Sequence, residues 1–157
     1  MTLHEILRRK GSQVHVIRPD ATLGEVVHML VQHNIGSLLV CHAAAEGECP
    51  NMVGIITERD ILRAYATQKA AFEQTLVSVA MTANPITAAP RDSVQDAMGV
   101  MTARRFRHLP VVSEGALHGV ISIGDLVKSQ FEELTMENHY MRSYIQGEGA
   151  ELGTAPR

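Results

Sequence analysis

No stretch of this sequence approaches the roughly 20 apolar residues that a membrane span needs. The N-terminal MTLHEILRRKG carries acidic and basic residues where a signal peptide needs an uninterrupted apolar run. These absences point to a protein of the cytoplasm with no membrane partner. Cysteine is scarce as well: only Cys41 and Cys49 occur, with neither the density of a disulfide scaffold nor a metal-ligand spacing. The expectation is a reducing compartment, with both thiols structural or incidental. Nor is there an excess of basic charge. The 14 Lys and Arg are outnumbered by 17 Asp and Glu, for a formal net charge of -3, so the electrostatic footprint of a nucleic-acid binder is missing. The one basic cluster, Arg104, Arg105 and Arg107 with His108, is local and suits a phosphate better than a duplex.

Catalytic signatures are lacking too. The sequence holds no GxSxG elbow, no Walker glycine loop and no Cys-His pair in a nucleophile signature. Its eight histidines suggest a metal, but His28 and His33 miss the spacing of a zinc-protease helix, and His4-Glu5 lacks the second His. No metal site is expected. Gly147, Gly149 and Gly153 imitate a dinucleotide fingerprint with the wrong spacing and no strand before them.

What is present is an ordinary globular balance, 45% hydrophobic and 20% charged over 157 residues, enough for one core or two small lobes. The chain repeats itself, which fixes the architecture more firmly than local propensity does. Pro19, Thr22, Leu23, Glu25 and Val40 return at one constant offset as Pro90, Ser93, Val94, Asp96 and Val111. Gly54, Ile55, Ile56, Thr57 and Asp60 return at a shorter offset as Gly119, Val120, Ile121, Ser122 and Asp125. The shortening falls between HAAAEGECPNM and SEGA, both turn-like in composition.

Each copy reads as strand, helix, strand, strand, helix. Thr22 with Glu25 forms a capping box ahead of Leu23, Val26, Val27, Leu30 and Val31 at one-face helical spacing. Ser93 and Asp96 answer it, ahead of Val94, Ala97, Met98 and Met101. SLLVC, MVGIIT, HLPVV and LHGVIS read as short buried strands. A second helix follows each pair, from Arg59 to about Ala70 and from Gly124 to about Gln146. The fold class is therefore α/β (α+β), two β-α-β-β-α copies packed sheet to sheet. The divisions are a helical segment at 1–12, copies at 13–73 and 74–146, and a disordered tail at 147–157.

The sharpest signal is the repeated junction GIITERD and GVISIGD, where a strand ends in Thr or Ser and a helix begins near Asp. A helix N-terminus offers unpaired amide donors and the positive end of the macrodipole. The carboxylate can accept two hydrogen bonds from a ribose diol, and the glycine lets a base approach the backbone. The plainer reading is that Thr-x-x-Asp and Ser-x-x-Asp only cap their helices, at about 1 kcal/mol each. Capping does not require the Gly-apolar-apolar prefix in both copies.

These two junctions, RFRHLPVV at 105–112 and the VAMTANPITAAP linker together resemble the cystathionine-β-synthase (CBS) domain family, in the tandem arrangement called a Bateman module, over about residues 12–135. The resemblance implies clefts related by a pseudo-twofold axis that bind AMP, ADP, ATP or NAD, with S-adenosylmethionine also possible. It pairs Thr57 and Asp60 with Arg107 and His108, beside the backbone of Pro85 and Ile86. It pairs Ser122 and Asp125 with Arg59, beside the backbone of His15 and Val16. Gly36 and Ser37 stand in the second site where Arg107 and His108 stand in the first, which favours the first for a charged ligand. It also implies a homodimer, and the last helix carries an apolar series (Leu126, Val127, Phe131, Leu134, Met141, Tyr144, Ile145) longer than its own lobe can bury. The implied function is regulatory, with occupancy passed to an unidentified effector protein. A ligand-independent scaffold that uses its aspartates only as caps, and an enzyme acting on a nucleotide, are the alternatives.

Overall fold

The computed structural model describes residues 1–42 and 48–151. In the first copy, β1 (Val16–Ile17), α2 (Leu23–His33), β2 (Ser37–Cys41), β3 (Met52–Thr57) and α3 (Glu58–Thr67) follow α1 (Leu3–Lys10). A short 3-10 turn, Phe72–Gln74, and α4 (Val77–Ala80) lead to β4 (Thr82–Ala83). The second copy comprises α5 (Val94–Arg104), β5 (His108–Ser113), β6 (Ala116–Ser122) and α6 (Ile123–Glu151).

Capping chemistry starts the first helix of each copy at the same place. Thr22 Oγ1 accepts from the Glu25 N–H while Glu25 accepts from the Thr22 N–H at 2.7 Å, and Ser93 Oγ accepts from the Asp96 N–H at 3.0 Å. Each helix ends on a left-handed residue, Asn34 at φ 51 and Arg105 at φ 58. Leu23, Val26 and Leu30 face the core on α2, as Val94, Ala97 and Met101 do on α5. Val31, expected on the same stripe, is 76% exposed. It lies at the rim of the stripe in the last turn of α2.

The strands form a sheet of order β1-β2-β3-β4 and a second of β5-β6. Strand β1 runs parallel to β2, with Val16 opposite Leu39; in the second copy a parallel bridge from Ala88 to Val111 stands in its place. The hairpins share even their irregularity, a register shift after Val40 in one and after Val111 in the other. Val14, Leu39, Cys41 and Ile55 pack with Leu117 and Val120 of β6, so the sheets meet through their apolar faces.

The lead-in to each copy packs on the opposite copy. Leu3, Ile6 and Leu7 of α1 join the core around Met101, Leu109, Ile121 and Leu126. Val77, with Ala80 and Met81, joins the core around Leu23, Val26, Leu38 and Ile56. This exchange explains the repeated glycines differently from the sequence reading. A Cβ on Gly54 would stand 2.7 Å from Met81 Sδ and 2.8 Å from the Thr82 carbonyl, and one on Gly119 would stand 2.7 Å from Leu7. The space is taken by the exchanged segments rather than kept for a base.

Two further expectations are corrected. Cys41 and Cys49 form a disulfide. Because β2 and β3 are antiparallel, their connection returns and sets the two Cα atoms 5.5 Å apart, so cysteine usage no longer argues for a reducing compartment. Helix α6 runs through Glu151, making residues 147–151 helical where a disordered tail was expected. The rest of that tail, 152–157, and residues 43–47 of the β2–β3 loop lie outside the described residues. Among the described residues no helix is long and apolar enough to cross a membrane.

Candidate functional site

At both strand–helix junctions the hydroxyl and the carboxylate bond each other's backbone. Asp60 Oδ2 accepts from the Thr57 N–H at 2.9 Å and from the Thr57 hydroxyl at 3.1 Å, and the Asp60 N–H donates back at 3.4 Å. Asp125 Oδ2 accepts from the Ser122 N–H at 2.8 Å, and the Asp125 N–H donates to Ser122 Oγ at 3.2 Å. Capping is therefore realised twice, but it does not exhaust either carboxylate. Asp60 is buried, and its Oδ1 accepts from the Thr82 hydroxyl at 3.4 Å. Asp125 accepts from Lys10 Nζ at 2.6 Å on the same Oδ2 that caps Ser122, and that ammonium donates to the Val120 carbonyl at 2.8 Å. Burial pushes the Asp125 carboxyl up, but the hydrogen bonds from Lys10 and Ser122 and the charge of Lys10 outweigh it, leaving it below the usual range.

Neither Lys10 nor Thr82 was singled out from sequence. Extending the Pro19-to-Pro90 offset backwards maps Lys10-Gly11 onto Met81-Thr82, so the two donors fall one position apart in equivalent segments. Each lead-in segment thus delivers a donor to the aspartate of the copy on which it packs.

Beside Ser122 lies a cleft of about 340 Å³, within the usual range for small-molecule sites. It brings together His15, His108 and Ser122 with Gly36, Ser37 and Lys10. His108 was expected with Asp60; it lines this other cleft because it sits directly opposite Ser122 in the β5–β6 ladder. Gly36 makes room for it, since a Cβ there would stand 3.1 Å from His108 Nε2. The His15 ring lies 4.3 Å from that of His33, and Val16 is half-buried in β1.

Arg59 crosses to the second copy, where Nη1 donates to the Arg105 carbonyl at 2.8 Å. Arg107 is exposed, and its carbonyl accepts from the Ile123 N–H at 2.9 Å, just as Gly36 accepts from Glu58 at 3.1 Å. The Thr82 contact draws the segment leading to Pro85 and Ile86 toward Asp60. Pro85 is half-buried and Ile86 is 44% exposed. Among the described residues no cluster of three or more His, Cys, Asp or Glu is arranged to hold a metal ion.

Burial pushes the His108 imidazole below its ordinary pKa of 6.5; the Glu58 carboxylate opposes this shift and the Lys10 charge adds to it. The unfolded chain therefore takes up this proton first. The corresponding stability is fully present above pH 6.5 and is lost as pH falls below it, through the lower pKa of the folded chain. Melting temperatures measured from about pH 7 to about pH 5 are expected to drop, and His108→Gln to flatten that drop. An equal drop in the variant would refute the assignment.

Comparison with known proteins agrees with this fold. The CBS domain family matches residues 3–67 and 76–132. The mitochondrial CBS domain-containing protein CBSX3 of Arabidopsis thaliana is 35% identical over 152 residues, spanning 93% of this chain and 72% of its own. The crystal structure of the CBS-domain containing protein ATU1752 from Agrobacterium tumefaciens superposes with a TM-score of 0.77 at 41% identity, covering 83% of this chain and 99% of that one. The CBS domain protein PAE2072 of Pyrobaculum aerophilum, complexed with AMP, does so with a TM-score of 0.66 at 28% identity, covering 80% and 89%. Matched in both of its copies and across most of its length, the chain belongs to the CBS-domain family and carries the domain as a tandem pair.

Proposed function

We propose that this tandem CBS pair is a regulatory module that binds an adenosine-containing nucleotide between its copies and passes occupancy to a partner protein. The observation that carries the reading is Asp60, a buried carboxylate with one oxygen committed to the helix cap and the other met, among the described residues, by a neutral hydroxyl at 3.4 Å. A ribose diol offers better donors to that oxygen than Thr82 does. Thr57 frames the same junction, the backbone at Pro85 and Ile86 faces the base, and Arg107 supplies phosphate charge. The second cleft uses Ser122, Asp125, His15 and Val16, with Arg59 reaching over from α3 and His108 in its wall. AMP leads the candidate ligands because PAE2072 is complexed with it; ADP, ATP, NAD and S-adenosylmethionine share the adenosine. Among the described residues no nucleophile, base or metal constellation accompanies the junctions, and the reading is of a sensor rather than an enzyme.

The module pairs with a second copy through α6, where Phe131, Leu134, Met141, Tyr144 and Ile145 are all more than half exposed. A native-state ligand at 100 times its dissociation constant adds about 2.7 kcal/mol. A thermal-shift panel of the five nucleotides is therefore expected to show stabilisation by at least AMP. No response to any of them would favour a ligand-independent scaffold, with Asp60 and Asp125 acting only as caps.

A further inference from the structure

The two copies close their hairpins differently. In the second, the β5–β6 ladder continues from Val112 opposite Leu117 to Ser113 opposite Ala116, and the chain reverses over Glu114 at φ 51 and Gly115 at φ 75. In the first, the β2–β3 ladder ends at Cys41 opposite Met52, and the Cys41–Cys49 disulfide closes the connection beyond it. The two sulfurs sit in unlike places. Cys41 is 0% exposed, whereas Cys49 is half-buried between exposed Glu48 and Pro50, so a reagent in solution meets the link from the Cys49 side.

The link also lies where the sheets of the two copies meet. Cys41 shares a cluster with Val14, Leu39 and Ile55, against which Cys49, Leu117 and Val120 pack. Three members of that packing, Val14, Leu39 and Val120, line the cleft beside Ser122. The disulfide and the cleft therefore share one wall. Breaking the link leaves two thiols that do not stay at bonding distance, and a close-packed interior is sensitive to so small a change in volume.

We propose that Cys41–Cys49 is a thiol–disulfide switch, opened by a dithiol reductant attacking at Cys49, that sets how tightly the Ser122 cleft holds nucleotide. The proposal rests on the nucleotide-binding reading above and goes beyond it by giving one cleft a second input. A thiolate of the reductant bonds to Cys49 Sγ as the bond to Cys41 breaks, and Cys41 Sγ leaves with the electron pair and takes up a proton. The reductant's second thiol then displaces Cys49 Sγ, which is protonated in turn. The reductant departs as its own disulfide, having passed two electrons and two protons to the chain.

The test is calorimetric titration of AMP into oxidised and dithiothreitol-reduced Asp60→Ala chain, which confines the measurement to the Ser122 cleft, and into the same background with Cys49→Ser, which lacks the link. Alkylation and mass spectrometry verify the redox state, and circular dichroism the fold. Reduction is expected to weaken AMP binding about 5-fold or more. Cys49→Ser is expected to bind as the reduced chain does, with or without reductant. Because linkage is reciprocal, saturating AMP is expected to raise the ratio of reduced to oxidised dithiothreitol that half-reduces the wild-type chain by the same factor. Equal affinity of the oxidised and reduced chains would overturn the proposal. So would a Cys49→Ser chain that still responds to reductant, or a link that dithiothreitol does not open in the folded chain. If Asp60→Ala fails to fold, the half-reduction ratio in wild type alone decides the matter. AMP binding that ignores the redox state leaves the functional reading intact and removes only this proposal; no AMP binding by any version removes both.

Discussion

Leu3→Ala is expected to destabilise the chain by about 2 to 5 kcal/mol, the cost of emptying a fully packed leucine site. Leu3 is 0% exposed and sits in the core of the second copy, although it lies in the segment that precedes the first. The backbone fastens the segment as well: the Leu3 N–H donates to the Asp92 carbonyl at 3.0 Å and the His4 N–H to that of Pro90 at 2.9 Å. A control at Leu62, 70% exposed on α3, is expected to stay within about 0.5 kcal/mol when replaced by Ala. Urea melts of both variants measure the contrast. If α1 were an appendage, Leu3→Ala would be as silent as the control.

Asp60→Ala and Arg107→Ala are expected to fail in different ways. Adenosine and AMP both carry the ribose diol, and a hydrogen bond to a charged group contributes about 1.5 to 3 kcal/mol. Asp60→Ala should therefore weaken both ligands, by about 10- to 100-fold. Arg107→Ala should weaken AMP and spare adenosine, because only AMP brings a phosphate. An Asp125→Ala background confines the measurement to the first cleft. Equal losses of both ligands in both variants would contradict the division of labour between the copies. Loss of the fold in Asp60→Ala would return that residue to its capping role, since it holds the start of α3 through Thr57.

Local chemistry made most of the elements legible. Thr22, Ser93, Thr57 and Ser122 each announce a helix through a carboxylate three residues on, and the structure realises each cap. The four hairpin strands were readable because their β-branched runs are bounded by turn residues. What eluded the sequence depends on pairing between distant segments. The apolar residues of MTLHEILRRK predict a helix but not that its core lies in the second copy. The disulfide between Cys41 and Cys49 follows from hairpin closure, which spacing alone does not disclose. At the site, the aspartates were visible as motifs, whereas Lys10 reaches Asp125 only through the exchange of lead-in segments. His108 lines the Ser122 cleft because the β5–β6 ladder sets it opposite Ser122, just as Ser37 stands opposite Thr57 in the first copy. The end of α6 was misread from glycine-rich composition, yet Gly147 lies within the helix.

A crystal structure of the full chain grown with AMP tests the central claim most directly. The account predicts the ribose hydroxyls on the Asp60 carboxylate in place of the Thr82 contact, the adenine against the backbone at Pro85 and Ile86, and the phosphate toward Arg107. Nucleotide bound away from both aspartates, or none bound with the Asp60–Thr82 contact unchanged, would contradict it.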